Sequence, residues 1–298
     1  MLTGQNIRLG RILKNTWQVD IIMVVTCTVV YLMHDNLIKY HIEVPVIVPT
    51  LLGTAIAFFI GFNNNQAYDR WWEARKVWGA LVNDSRSWAR SVINYVPAPE
   101  MEEMKKQMVY RHIAFLYALK SALRKTEDSS YPKYLTEDDI KEIGRQSNKH
   151  NAILNLQSKY LHQLREAGAI DGFRFMQMDA LLVKFSDEMG MSERIKNTVF
   201  PTTYSYLTKL FIWLFVVAVS LVTAQTLGVW SIFASWLLGF VFVSTQINGM
   251  SLVNPFENTA VSIPLNQITR TIEINLLEML NEQAIPEPVK PINNEYVL

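Results

Sequence analysis

The sequence predicts an all-α membrane protein, with four transmembrane helices and a helical body inserted between the second and the third. Only 18% of its residues are charged, against about 25% in an average soluble protein. Two long stretches, residues 44–68 and 210–256, contain no Lys, Arg, Asp or Glu. Because a helix needs about 20 apolar residues to cross the hydrocarbon core of a bilayer, the first stretch fits one span and the second fits two.

The first span is the shortest of the four. Its apolar core covers residues 21–33 and extends back through Trp17, with Asp20 as the only charged residue between. A run this short would also suit a buried core helix. A secretory signal peptide is a rival interpretation, but the apolar run begins late and no cleavage site of small residues follows Met33. We therefore expect a membrane helix here.

The positive charges predict the orientation of the spans. Lys and Arg precede the first span, follow the second and precede the third, whereas the loop between the last two spans is uncharged. Lys and Arg accumulate on the side of the membrane where the chain is made. Both termini and the helical body are therefore expected in the cytoplasm, with two short loops outside.

The middle of the chain has the pattern of soluble helices. Apolar residues recur at helical spacing, as in Met108, Phe115 and Leu119, and neither strand-type alternation nor a Gly-rich phosphate loop is seen. Four segments follow from these patterns. They are residues 1–68 with the first two spans, 69–205 as the helical cytoplasmic body, 206–256 with the last two spans, and 257–298 as a cytoplasmic helix and an extended tail.

Composition and spacing argue against several functional classes. The net charge of +1 argues neither for nor against nucleic acid, and no such partner is expected. Cys27 is the only cysteine and the five histidines are scattered, so we expect no metal site and no cofactor. An enzyme working at membrane depth needs ionisable groups there. The second to fourth spans have no charged residue, so no catalytic residues are expected and the chain is not predicted to be an enzyme.

Two motifs resemble the bestrophins, a family of pentameric channels. The first is Phe-Phe-Ile-Gly-Phe at residues 58–62, followed by Arg70, Trp71 and Trp72, which resembles the family's pore neck and its exit into the cytoplasm. The second is Asn-Pro-Phe-Glu at residues 254–257, which resembles the segment just after the last membrane helix. The order of the motifs and the four-span layout match the family across nearly the whole chain.

The resemblance implies a homopentamer in a lipid bilayer, with one axial pore for small inorganic ions that is lined at its neck by the second helix. Carried over through the Arg-Trp-Trp motif, the neck falls on Thr54, Phe58 and Phe62, which share one helix face. Five copies would form a constriction with two aromatic layers, able to gate by dewetting. From spacing alone, packing against lipid or another helix is favoured, and the resemblance reverses that preference. Thr54 departs from the family, where a branched aliphatic residue is usual.

Further positions follow from the same comparison. Asn63, Asn64 and Asn65 would lie at the inner mouth of the neck, where three amides could rehydrate an ion, with capping or a solvated turn as the alternative. A second, cytoplasmic constriction is expected in the family and would fall on Phe173, or on Ile170. A buried contact within the body remains the favoured interpretation of these two residues.

Acidic residues near the pore ends bear on the choice of ion. Asp35, Glu43 and Asp69 would form acidic rings in a pentamer, which leans towards cations, whereas the family is best known for chloride. The acidic run that binds calcium in eukaryotic members is missing after Glu257. One carboxylate does not supply the roughly six to eight oxygen ligands that calcium takes, so no calcium regulation is expected.

The sequence therefore predicts a bestrophin-like channel subunit of a bacterial inner membrane. A non-conducting membrane scaffold, or a regulatory membrane protein, is the alternative, because it would explain the spans and the helical body equally well. It would not explain two aromatic residues on one face of an apolar helix.

Overall fold

The computed structural model describes residues 9–39, 44–97, 101–126, 130–293 and 295–298. Within these ranges the chain is almost entirely helical, and its only strand-like pairing is an isolated bridge between Ile292 and Tyr296. A 3₁₀ helix covers Tyr131–Tyr134. The α-helices are α1 (Leu9–Lys39), α2 (Ile47–Tyr95), α3 (Glu102–Arg124), α4 (Glu137–Gly144), α5 (Lys149–Glu166), α6 (Gly172–Asn197), α7 (Thr202–Leu227), α8 (Trp230–Met250) and α9 (Leu265–Met279). The prediction of an all-α protein is confirmed.

Four of these helices are long and apolar enough to cross a membrane. The candidate spans are Leu13–His34, Ile47–Tyr95, Thr203–Leu227 and Trp230–Met250, in agreement with the four spans predicted from the sequence. The short first run of apolar residues lies within a helical span of 22 residues. The second span belongs to a helix of 49 residues, which continues without a break past the end of its apolar part.

The chain folds into two compact units. Of the described residues, those within 71–198 and 254–298 belong to one of them, the helical body, and those within 9–70 and 199–253 belong to the other, the membrane unit. The helix α2 contributes to both, because the division falls between Arg70 and Trp71.

The membrane unit packs α1, α2, α7 and α8 around one apolar core. Its buried members come from all four helices: Met23, Cys27, Ile56, Ile60, Ile212, Phe215, Val216, Val219 and Val243. The helices approach closely at Gly239 of α8, where an added Cβ would overlap both Met23 and Val216. The last turn of α7 ends at Gly228, whose φ of 55° is readily adopted only by a residue without a side chain.

The helical body buries an ion pair beside its apolar core. Arg111 of α3 and Asp139 of α4 are almost fully buried, and Nε of Arg111 lies 2.9 Å from Oδ2 of Asp139. The guanidinium carbon also lies 3.7 Å from the centroid of the Tyr160 ring on α5, while Asp139 completes a capping box with Thr136 at the start of α4. One buried pair therefore joins α3, α4 and α5. Removing either partner would leave an uncompensated buried charge, at a cost of about 3–5 kcal/mol.

A second buried carboxyl group lies between α6 and the part of α2 that belongs to the helical body. Glu188 is 3% exposed and faces Asp84, whose Oδ1 lies 3.2 Å from Nζ of Lys184. Burial raises the pKa of Glu188 from 4.5 to about 8, and the charge and hydrogen bond of Asp84 act in the same direction. Lys184 lowers this pKa and Asp187 raises it, both by less. Glu188 is therefore mainly protonated at neutral pH.

We predict that the folded protein loses stability as the pH rises from about 5 to about 9, and that Glu188→Gln removes much of this loss. Between 4.5 and about 8 the unfolded chain releases the proton of Glu188 while the folded chain retains it, so rising pH favours unfolding. The measurement is the thermal midpoint of the detergent-solubilised protein across this range. Asp179→Asn, which removes a partly exposed carboxyl group from the same helix, should leave the profile unchanged. Identical profiles for wild type and Glu188→Gln would contradict the prediction.

Candidate functional site

The helix α2 has a buried face and an exposed face within the membrane unit. Ile56, Ile60, Asn63 and Ala67 are at most 3% exposed, and they recur every three or four residues, which places them on one side of the helix. At Gly53, near the same side, an added Cβ would lie 3.0 Å from the ring of Phe215 on α7. The rotation of α2 about its axis is thus set by packing within the chain.

The opposite face carries Thr54, Phe58, Phe62, Asn65 and Asp69, a set that we call the α2 stripe. All five are exposed in the chain, with Phe58 at 71% and Phe62 at 48%. Their spacing of four, four, three and four residues keeps them in one line along the helix. At about 1.5 Å of rise per residue, the stripe is about 22 Å long. The three predicted neck residues therefore lie together on a face that the chain itself leaves uncovered.

The aromatic part of the α2 stripe is supported from behind. The rings of Phe58 and Phe59 pack edge to face with their centroids 6.1 Å apart, and Phe59 in turn lies 6.2 Å from Phe211 of α7. This contact restricts Phe58 although most of its surface is uncovered.

The hydroxyl group of Thr54 is directed at its own helix. Its Oγ1 donates a hydrogen bond to the carbonyl oxygen of Thr50, at 3.0 Å. Because a hydroxyl group has a single proton, Thr54 presents only a methyl group and an oxygen acceptor to the exposed side. Its departure from a branched aliphatic residue therefore adds no hydrogen-bond donor to the α2 stripe.

The three amides after the aromatic residues lie on different faces. Asn63 is buried and its Nδ2 donates to Oγ1 of Thr208 on α7, at 3.2 Å. The Nδ2 of Asn64 donates to the carbonyl oxygen of Thr245 on α8, at 3.3 Å. Successive residues of a helix point about 100° apart, so only Asn65 follows Phe62 on the α2 stripe. Asn63 and Asn64 therefore bond α2 to its neighbours, and of the three amides only Asn65 continues the α2 stripe.

Of the three acidic candidates, only Asp69 has a side chain among the described residues. Glu43 and the side chain of Asp35 lie outside the described residues. Asp69 is exposed and forms the last position of the α2 stripe. Along the stripe, a hydroxyl group and two apolar rings are thus followed by an amide and then a carboxylate.

The two candidates for a cytoplasmic constriction differ completely in exposure. Ile170 is 1% exposed and belongs to the apolar core of the helical body. Phe173 is 85% exposed and lies in the first turn of α6, where the side chain of Asp171 caps the helix by accepting from the backbone N–H of Arg174. Met176, one turn further along α6, is 69% exposed. Met176 is not among the residues predicted from the sequence. Its i, i+3 spacing from Phe173, which places both side chains on one face of a helix, is the signal that could have identified it.

The segment after α8 is held by contacts that the sequence motifs did not predict. The ring of Phe256 is fully buried, and Nε1 of Trp71 donates to the carbonyl oxygen of Val261 at 3.0 Å. The backbone N–H of Ile263 donates to the carbonyl oxygen of Pro255 at 2.8 Å. Glu257 is exposed, and the described residues include no cluster of three or more His, Cys, Asp or Glu able to hold a metal ion.

Comparison with known proteins gives consistent results. Residues 5–278 match the model of a family described as bacterial/fungal bestrophin protein. The chain is 30% identical to a voltage-dependent anion channel-forming protein of Escherichia coli strain K12, over 81% of this chain and 79% of the relative. It is 26% identical to a protein of the same description from Mesorhizobium japonicum, over 78% and 74%. A crystal structure of a bacterial bestrophin homologue from Klebsiella pneumoniae has a TM-score of 0.84 and 30% identity, covering 89% of this chain and 98% of that one.

The seam between α2 and α8 makes a steric prediction. A Cβ added at Gly249 of α8 would overlap the amide group of Asn64, so Gly249→Ala should lower the free energy of unfolding by about 1–3 kcal/mol, as overpacking does. Chemical denaturation in detergent measures the effect, and the double variant with Asn64→Ala should recover part of it. Gly190→Ala, at a helical glycine with open space around it, is the matched control and should be neutral or stabilising by up to about 1 kcal/mol. Equal stabilities of Gly249→Ala and Gly190→Ala would refute the close contact.

Proposed function

Because the chain belongs to the bacterial and fungal bestrophin family, we propose that it is the subunit of a homopentameric anion channel whose pore neck is lined by Thr54, Phe58 and Phe62. The relatives named as voltage-dependent anion channel-forming proteins support the choice of anions over cations. They are named as channel proteins and not as enzymes, which agrees with the expectation that this chain is not an enzyme.

The observation that carries the proposal is the polarity of the exposed α2 stripe. Two large apolar rings, Phe58 and Phe62, are in line with an exposed amide at Asn65 and an exposed carboxylate at Asp69. Asn65 lies within the uncharged stretch 44–68, where a face turned towards lipid would leave its amide without hydrogen-bond partners, which is costly. A face turned towards a water-filled axis accommodates both groups. The stripe thus fits a pore whose apolar constriction opens into a polar compartment.

Small residues beside the α2 stripe support assembly around that axis. Ala57 and Gly61 are exposed, and an added Cβ at Gly61 would meet nothing within 4 Å in the chain. Packing within the chain therefore does not require glycine at this position. Small residues four apart let membrane helices approach closely, so this flank suits contact with α2 of a neighbouring copy.

The proposed neck has a simple mechanism. Rings of phenylalanine side chains form an apolar constriction that passes ions when it is wet and blocks them when it is dry. The edge of each aromatic ring carries partial positive charge, so edges directed at the axis favour an anion that has lost part of its hydration. In the helical body, Phe173 is the proposed second constriction. We place the channel in a bacterial inner membrane, with the helical body and both termini on the cytoplasmic side.

The ion is tested by the reversal potential of the purified protein in planar bilayers under a potassium chloride gradient. We predict a reversal potential close to the equilibrium potential of chloride. Reversal near the potassium potential would replace the anion channel by a cation channel, and Asp35, Glu43 and Asp69 would then be the groups to neutralise. The absence of protein-dependent current at any voltage would favour the non-conducting scaffold instead. Bilayers without protein are the control.

The neck is tested by removing one aromatic ring. Phe58→Ala should increase the chloride current per channel or the open fraction several-fold, because the constriction becomes wider and wets more readily. The matched control is Phe233→Ala on α8, which removes the same ring from a position that is also exposed in the chain, at 53%. An unchanged current in Phe58→Ala, together with a changed one in Phe233→Ala, would move the pore away from the α2 stripe.

A further inference from the structure

The helical body contains a cavity of about 340 Å³ that the proposed channel function does not use. Its walls come from α3, the 3₁₀ helix, α9 and the segment after α9. The volume falls in the range of small-molecule sites, about 300–1,000 Å³. The charged side chains that line it are Lys133, Arg270 and Glu273, while Ile285 and Pro286 contribute an apolar wall.

The floor of the cavity is a buried carboxylate with its partners in place. Glu273 is 4% exposed, and the hydroxyl group of Tyr117 donates to its Oε2 at 2.5 Å. The hydroxyl group of Tyr134 donates to Oε1, and Nε of Arg270 lies 3.1 Å from Oε2. Burial first, and then the hydrogen bond to Glu273, raise the pKa of both tyrosines. Both phenols therefore keep their protons, which are donated to Glu273, and their oxygens remain as acceptors.

The charges of the lining do not balance. The negative charge of Glu273 is offset by Arg270, which leaves the ammonium group of Lys133 as an excess positive charge. Lys133 is exposed and forms no ion pair with any residue that the structure describes. The lining thus has room and charge for one anionic group.

The apolar wall of the cavity is anchored at both ends. On the N-terminal side of Ile285, Oε1 of Glu282 lies 2.5 Å from Nζ of Lys106 on α3. On the C-terminal side of Pro286, the carbonyl oxygen of Leu298 accepts a hydrogen bond from the backbone N–H of Gln267 at 3.0 Å, and Val297 is buried. These contacts hold the two ends of the segment that carries Ile285 and Pro286.

We propose that this cavity binds a small organic anion, with its carboxylate or phosphate group between Lys133 and Arg270, and its hydroxyl groups donating to the oxygens of Tyr117 and Tyr134. The carbon skeleton lies against Ile285 and Pro286. Inorganic phosphate satisfies the charge but leaves most of the volume empty, so the organic anion binds more tightly. The site lies in the helical body alone, so its occupancy does not depend on conduction.

Isothermal titration of the full-length protein in detergent, at constant chloride concentration, tests the proposal. The probes are glycerol 3-phosphate and gluconate, which separate phosphate from carboxylate recognition, with inorganic phosphate and uncharged glucose for comparison. We expect saturable binding of at least one organic anion, weaker binding of inorganic phosphate and none of glucose. Lys133→Ala should weaken the organic anion about tenfold, as expected for a lost charged hydrogen bond, and Lys133→Arg should largely restore it.

The control is Lys141→Ala, which removes an exposed lysine of α4 outside the cavity. It should leave the affinity unchanged. Saturable binding that Lys133→Ala does not alter would overturn the proposal, because the anion would then be bound elsewhere. The absence of saturable binding of both organic anions to the wild type would overturn it as well. Neither outcome bears on the channel, whose test is the reversal potential.

Discussion

The seam that α2 forms with α7 and α8 is the constraint on which the candidate pore depends. Gly53 leaves room for the ring of Phe215, and Gly249 leaves room for the amide of Asn64. A helix has one rotational degree of freedom about its axis, and these two close approaches remove it. Once they are made, Phe58 and Phe62 are turned away from this seam and keep 71% and 48% of their surface exposed in the chain, because residues on the opposite side of a helix cannot reach the same neighbours. The exposed α2 stripe is thus a consequence of packing elsewhere on the helix.

The helical body is held by a different kind of interaction. Its apolar core surrounds charged groups that are partnered inside it, such as Arg111 with Asp139 and Glu273 with two tyrosines. A buried pair of this kind contributes little net stability, because desolvation offsets most of the attraction, but breaking it is costly. The first pair joins α3 to α4, and the bonds of Glu273 join α9 to α3 and to the 3₁₀ helix. Glu188 is accommodated in a different way: burial first, and then the charge and hydrogen bond of Asp84, raise the pKa of its carboxyl group and favour the neutral form.

The sequence was sufficient for those features that depend on residues close together in the chain. The four spans follow from uncharged stretches, because the cost of a charge in hydrocarbon acts on each segment separately. The common face of Thr54, Phe58 and Phe62 follows from helical periodicity. Which of Asn63, Asn64 and Asn65 shares that face depends on Thr208 and Thr245, and nothing near the amides in the sequence specifies those partners.

Other features also depended on contacts between distant residues. Ile170 and Phe173 are three residues apart, yet the first is part of the core and the second is almost fully exposed. The pairing of Glu188 with Asp84 and the cavity around Glu273 likewise join segments about a hundred or more residues apart.

The choice of ion, by contrast, depends on which groups the proposed neck lacks. Thr54 gives its only proton to Thr50, so the neck offers an anion no hydroxyl donor and a cation no fixed charge. Discrimination there would depend on the cost of dehydration and on the positive edges of the rings. The first group able to donate a hydrogen bond beyond the rings is the amide of Asn65, one turn before the carboxylate of Asp69. An anion leaving the rings would therefore be rehydrated beside Asn65 before it meets the repulsion of Asp69, which lies about 6 Å further along the helix.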